Sequence, residues 1–388
     1  MFWPLASLLY LAYFLLVAPI VLSRGTSDWR AFALIMFSIV MFLPMALQSP
    51  ETFTSSDDFI TNIAMVEDFN SAGKYPGYQI VKLIVPYFGA HDSLVLLWSV
   101  SFTIFVALCT LYFRLIPGKV IKSISARVLI FYVFILFIVL GAADGLFGCI
   151  LPSKGFIGSA HFLFQSVSIV LVLGGAYLMA GRKKAPAYVV FILAIAFHYS
   201  SALYVGLLLL GNTICRSYTQ RANFKVIVLF VAVIFSWVFS LYFHDIYSHM
   251  LVFIGASSIA EDALSMGVEG PDLIYKCSVF SILAFVIYPI IKSRLMKKAE
   301  GYVNVPQICD SQPKSLEDAS VAVDALIFLT IIITIMSLMM APSATGLAYR
   351  LVYIVYVCVP ILITICLTGL YLSLVTLVKS RFISSSLR

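Results

Sequence analysis

The chain has 388 residues, 62% of them hydrophobic and 11% charged, with 25 Lys and Arg against 18 Asp and Glu and a mean hydropathy of +1.04. Those proportions exclude an ordinary soluble domain and a disordered chain, because too few polar side chains remain to solvate a surface. They predict an all-α, polytopic integral membrane protein, one domain over 1–388, since helices satisfy their own backbone polar groups in lipid.

Apolar runs long enough to cross a hydrocarbon core of ~30 Å recur along the chain. They lie at 3–22, 31–48, 92–113, 128–148, 161–181, 226–243, 276–291, 325–341 and 351–378. The first lacks a basic leading segment and a small-residue cleavage site, and is expected to stay as a span. Between the second and third runs lies an external stretch, 49–91. It carries Asp57, Asp58, Glu67 and Asp68, then GYQIVKLIVPYFG at 77–89, which is too short to span and reads as an in-plane amphipathic helix. A second external loop, 142–160 (AADGLFGCILPSKGFIGSA), is rich in small residues and holds Asp144 and Lys154. A third, 244–275, reads as a surface helix followed by a Gly-Pro turn. Segment 292–324 starts basic, becomes polar, and is expected to be a flexible cytoplasmic loop.

Charge sets the expected topology, because basic residues in short loops mark the cytoplasmic side. Placing 23–30, 114–127, 182–186, 211–225, 292–324 and 379–388 on that side gathers 20 of the 25 Lys and Arg. The external side and the spans then hold 12 of the 18 acidic residues, with the N-terminus outside and the C-terminus inside. Both RKKAP at 182–186 and CRSYTQRANFK at 215–225 fall inside, so the apolar stretch 187–211 between them must leave and return on one side. At 1.5 Å per residue it cannot cross twice. The expectation is a re-entrant helical hairpin reversing near His198, Tyr199, Ser200 and Ser201, with its polar tip in a cavity. The alternative is one ordinary span followed by a basic external loop.

Only Lys74, Lys82, Lys154, Lys276 and Arg350 fall outside the cytoplasmic set, and all five histidines (His91, His161, His198, His244, His249) lie on the external side or in the membrane layer next to it. A cavity there lined by Lys, Arg and His suits an anion such as phosphate or pyrophosphate. Each of these residues also has a plain reading: Arg350 reaching for headgroups, His198 pinning a bend, Asp58 capping a helix. The seven cysteines are scattered, without ligand spacing, and read as packing residues; no metal or other cofactor is expected. No P-loop, GxGxxG after a strand, HExxH or GxSxG motif occurs, and no nucleic-acid partner is expected.

The order of features resembles the EpsG-like and Wzy-type bacterial polysaccharide polymerases. The resemblance rests on Asp58-Phe59 after the second run, Gly77-Tyr78 before a short apolar helix, the RKKAP turn, AFHYSSAL around His198, and AYRLVYIVYV with Arg350 opening a tyrosine-rich last span. Where the family has an arginine at the external start of the span before the basic turn, this chain has GFIGSAHFLFQSV with His161, so Lys154 or His161 would supply the missing charge.

The resemblance implies about 9–11 membrane helices plus the hairpin, similar to GT-C-type glycosyltransferases. It implies a multi-pass enzyme of the bacterial cytoplasmic (inner) membrane. Such an enzyme joins undecaprenyl-pyrophosphate-linked oligosaccharide repeats into O-antigen, capsule or exopolysaccharide on the outer face. A chain-length-regulating copolymerase and a flippase would act beside it. Asp58 and His198 are then the catalytic candidates, and Arg350, Lys154, His161 and Tyr78 the substrate and pyrophosphate contacts. The chemistry asks for a base on the acceptor hydroxyl and positive charge on the departing pyrophosphate. A flippase, a glycan ligase and an acyltransferase are the alternatives.

Overall fold

The computed structural model describes residues 57–67, 76–116, 120–140, 163–218, 230, 233–234, 272–303, 312–341 and 345–386. Among these residues the structure is helical and has no strand. Ten helices follow in order: α1 (Asp57–Glu67), α2 (Pro76–Lys82), α3 (Val85–Leu115), α4 (Ile124–Leu140), α5 (Leu163–Ala180), α6 (Lys184–Phe197), α7 (Ser201–Tyr218), α8 (Asp272–Val303), α9 (Gln312–Met340) and α10 (Thr345–Ser386). Three segments among the described residues are long and apolar enough to cross a membrane: Ile274–Leu295 in α8, Val321–Met340 in α9 and Ala348–Val378 in α10. Leu163–Met179, Lys184–Phe197 and Ser201–Ile214 are shorter apolar helices. The runs at 3–22, 31–48 and 226–243 lie outside the described residues, apart from 230 and 233–234.

Helix directions follow from paired contacts. In α5 and α6, Phe164 and Phe197 stack with centroids 6.1 Å apart, and only Gly181, Arg182 and Lys183 separate the helices, so they run antiparallel. The turn is closed by backbone bonds from Gly181 to Tyr177, Arg182 to Met179 and Lys183 to Leu178. Arg182 sits there at φ 61°, a left-handed conformation usually given to glycine. Helix α3 runs parallel to α5, with Leu108 by Gly174 and Tyr112 edge-on to Tyr177 at 6.4 Å. Helix α8 runs parallel to α10, since Ile287 packs on Gly369 and Arg294 Nη2 donates to Thr376 Oγ1 at 2.7 Å. Helix α9 opposes both, joined to α10 through 341–344 and tied to α8 by Lys292 Nζ and Asp324 Oδ2 at 2.8 Å. Helices α9 and α10 form the centre: nearly every described side chain of Val321–Met340 is buried.

The apolar stretch 187–211 is broken, as its flanking charges predict. Helix α6 ends at Phe197 and α7 begins at Ser201. Early in α7, Tyr204 reaches the carbonyls of Arg350 and Leu351, near the start of α10. Seven residues later Gly211 lies against Phe328, where a Cβ would meet the ring at 2.8 Å. That contact is roughly three turns before the end of α9 at Met340. Helix α7 therefore runs back from the α10 start, opposite to α6, and the pair is a helical hairpin.

The segment 77–89 also separates from the run after it. Gly89 (φ 78°, ψ 163°) breaks α3 in a conformation that is essentially glycine's own. Before the break, Gly77, Tyr78 and Val81 are buried while Ile80, Leu83, Tyr87 and Phe88 are exposed, the two-faced pattern expected of an amphipathic segment. Segment 292–324 departs from expectation. Instead of one flexible loop, α8 continues to Val303 and α9 begins at Gln312. Helix-favouring residues carry α8 beyond Leu295 and begin α9 before Val321, while the Lys292–Asp324 pair joins the two helices inside their apolar spans. The stretch 49–91, expected to be an external loop, is largely helical where described; of 244–275 only the start of α8, from Asp272, falls among the described residues, and 142–160 lies outside them.

Candidate functional site

The site forms where the hairpin turns. The sequence Phe197-His198-Tyr199-Ser200-Ser201 places polar side chains that compete for backbone hydrogen bonds after an apolar helix. His198 closes α6 in an extended conformation (φ −156°, ψ 124°), with its N–H still on the Ala194 carbonyl. The His198 carbonyl then accepts from Ser201 N–H at 3.0 Å, which starts the first turn of α7. His198, Tyr199 and Ser200 are half-buried and Ser201 is fully buried.

The tautomer of His198 follows from the turn. Ser200 N–H donates to His198 Nδ1 at 3.3 Å, and Ser200 Oγ lies 2.7 Å from the same nitrogen. A backbone N–H can only donate, so Nδ1 is the acceptor and Nε2 carries the hydrogen. In this arrangement the lone pair of the neutral ring is already engaged. The ring presents an N–H at Nε2, and Nδ1, which accepts from Ser200, is the atom at which it would take up a proton.

Helix α5 holds the turn and the start of α10 together. Ser168 Oγ and Ser201 Oγ lie 2.5 Å apart, anchoring α7. Ser166 Oγ lies 3.1 Å from Tyr353 Oη, anchoring α10. Gln165, only 2% exposed, donates from Nε2 to the Arg350 carbonyl at 2.7 Å and to Tyr204 Oη at 3.5 Å. Tyr204 Oη donates in turn to the carbonyls of Arg350 at 3.2 Å and Leu351 at 3.3 Å. Arg350 is half-buried. An aromatic layer continues from the turn: Phe197 stacks with Phe164, and Phe164 lies 4.0 Å from Tyr78. Gly77 permits this closeness, since a Cβ would come within 2.8 Å of the Phe197 backbone.

Of the residues expected at the site, His198 and Arg350 are brought to the same end of the bundle, linked through Tyr204 on the first turn after His198. Tyr78 joins them through packing: it is 5% exposed, Phe164 covers its ring, and its hydroxyl donates to Asn62 Oδ1 at 2.7 Å. That bond ties α1 to α2. Asp58 lies in the first turn of α1, where a carboxylate favours the helix start; its side chain is outside the described residues, as are Lys154 and His161 altogether. Gln165, Ser168, Ser200 and Tyr204 were not among the expected residues. The signal for Gln165 was available as an amide inside the apolar run LFQSVSIVLVL. Tyr204 carried no comparable signal, since tyrosines are common throughout the chain.

The chemistry available is anion binding, with a guanidinium and an imidazole N–H at the tip of a hairpin. Among the described residues no group of three or more His, Cys, Asp or Glu could hold a metal ion, and Cys109, Cys277, Cys358 and Cys366 are buried free thiols. Comparison of the chain with protein-family models, curated proteins and solved structures finds no match.

Proposed function

We propose that the chain is a multi-pass membrane glycosyltransferase of the bacterial inner membrane. In this reading it polymerises undecaprenyl-pyrophosphate-linked oligosaccharide repeats on the outer face, with an overall architecture akin to the GT-C-type enzymes. The observation that carries it is the hairpin tip. His198 sits at a reversal whose two legs both leave toward the opposite end of the bundle, and Tyr204, on the first turn of the second leg, bonds the main chain of Arg350; both His198 and Arg350 are among the few cationic or histidine residues outside the basic loops. Support also comes from the order of motifs in the sequence, from Asp58-Phe59 through AFHYSSAL to AYRLVYIVYV.

In mechanism, Arg350 faces the pyrophosphate of the lipid-linked donor and offsets the charge that develops as it leaves. A guanidinium suits this work because it stays charged and binds phosphate oxygens in a fixed fork. His198 contributes Nε2–H as a second donor to the same anion, beside the catalytic role expected of it. The base for the acceptor hydroxyl falls to Asp58 on α1. Lys154 and His161, from the segment before α5, are proposed to add positive charge for the same anion. The lipid tail enters sideways from the bilayer, and no nucleotide pocket is required because the leaving group is already activated.

Deleting the gene tests the reaction: surface glycan should fall to single repeat units, and a polymer of normal length would overturn the reading. Lipid-linked repeats trapped inside the cell would indicate a flippase instead. Topology is tested with single cysteines. Ala185→Cys and Thr213→Cys, one near the base of each hairpin leg, should react with an impermeant thiol reagent from the same side of the membrane. Opposite sides would make 187–211 an ordinary span.

A further inference from the structure

We infer that Gln165 and Tyr204 form a buried latch on the main chain of Arg350 and are positioning residues for the anion site. The inference rests on the proposed function only for the identity of the anion; the geometry stands by itself.

Helix α10 is 42 residues long and contains Pro360, ten residues beyond Arg350. A proline inside a helix removes one backbone bond and permits bending there. The segment carrying Arg350 therefore needs something besides its own helix to set its rotation and height. Rotation matters because one residue of register is 100° of turn, which would swing a long side chain from one neighbour to another. The latch acts at the right place. Gln165 Nε2–H meets the Arg350 carbonyl at 2.7 Å, and Tyr204 Oη–H meets the same carbonyl at 3.2 Å and that of Leu351 at 3.3 Å. Gln165 also donates to Tyr204 Oη at 3.5 Å, so the two donors support each other.

Three features mark this as registration of Arg350 and not general packing. First, the donors grip the main chain at Arg350 itself and so act on its backbone, not on its side chain. Second, Tyr204 is on α7, close after the hairpin turn, so one hydroxyl references both His198 and Arg350. Third, Gln165 and Tyr204 are 2% and 0% exposed, in surroundings where a hydrogen bond is strong and its loss leaves a polar group unsatisfied. The neighbouring bonds from α5, Ser168 to Ser201 and Ser166 to Tyr353, hold the same two elements without touching the Arg350 carbonyl, and supply a natural control.

The test is a distance and a binding cycle. Nitroxide labels at Tyr199→Cys and Tyr349→Cys, with the native cysteines replaced, report the spacing of the hairpin tip and the α10 start in lipid nanodiscs. The latched protein should give one narrow distance. Gln165→Met with Tyr204→Phe keeps size and apolar contact but removes both donors, and should broaden the distance or add a second population. Ser166→Ala should leave it narrow. An unchanged distance in the double variant overturns the latch, as does equal broadening in Ser166→Ala. In parallel, inorganic pyrophosphate binding is measured on the full chain. Gln165→Met should weaken it about tenfold in the parent, the scale of one hydrogen bond, and should have no further effect once Arg350→Ala is present. Additive losses would mean that Gln165 acts apart from Arg350 and would overturn the role. No pyrophosphate binding in the parent, with the distance result intact, would count against the proposed function and leave the latch standing.

If Tyr204→Phe does not accumulate, Gln165→Met alone carries both measurements, because it leaves the larger buried ring untouched.

Discussion

At one end of the described bundle Lys122, Arg182, Lys183, Lys184 and Arg294 stand exposed; at the other, Arg350 and His198 are half-buried beside Gln165, Tyr204 and Ser201. Both ends carry positive charge, and the charge does different things. Exposed cations are solvated and individually worth little to the fold. They serve topology, where their number in short loops counts and their exact placement does not. Arg350 is a single cation whose main chain is gripped by two buried donors. In the proposed function the contrast separates charge that would orient a chain in a membrane from charge held in place to meet a ligand. Lys292 is intermediate: it sits away from the hairpin tip, yet it is paired with an Asp324 that is 1% exposed.

Lys292→Met should have the largest effect on stability, about 3–5 kcal/mol, because it strands a buried carboxylate. Thermal unfolding in detergent reads it out, and Lys292→Met with Asp324→Leu should recover most of the loss. No loss in the single variant would put Lys292 with the exposed cations. Arg350→Ala should lower polymer formation about a hundredfold, the scale of a lost charge-assisted bond of 2–3 kcal/mol, with the protein still at normal amount in the membrane. Lys183→Gln, at the other end, should change polymer length and yield less than about twofold. Equal effects from the two would erase the distinction between the ends.

Gly89→Ala should cost about 1–3 kcal/mol, since φ 78° with ψ 163° is strained for any residue with a Cβ, although no neighbour would clash with that atom. For His198, the identity of the replacement carries the information. His198→Ala should reduce polymer formation about tenfold. His198→Gln, which can still present an N–H near the position of Nε2, should stay within about threefold of the parent. Equal loss in both would return His198 to proton transfer. The smallest change is Arg182→Gly at the basic turn. Relief of the left-handed strain there should raise stability by about 1 kcal/mol at most and leave polymerisation unchanged.

Helical class was legible because lipid-length apolar runs and the near absence of charge leave a chain few other ways to satisfy its backbone. The break at His198 was legible too, because the basic residues flanking 187–211 point to a reversal within it, and the helix does end at Phe197 and restart at Ser201. The break between 77–89 and the following run was foreseen from length, although only the backbone shows that Gly89 makes it. Segment 292–324 reads as a loop because polar composition resembles loop composition, yet where described it is helix, since helix-favouring residues carry α8 to Val303 and begin α9 at Gln312.

At the site, the sequence by itself determined that His198 and Arg350 were unusual, because each is a polar or charged residue where apolar or external surroundings disfavour it. Their placement at the same end of the bundle, across more than 150 residues of chain, was decided by tertiary structure alone. Helix α5 makes it happen, with Gln165, Ser166 and Ser168 bonded to α10 and α7. The role of each residue was likewise decided by contact. Tyr78 became a packing ring once Phe164 covered it, and the His198 tautomer was set by a backbone N–H two residues away. Sequence pattern records what a residue is and how its near neighbours alternate. Hydrogen-bond direction and ring coverage depend on partners that only the folded chain brings within reach.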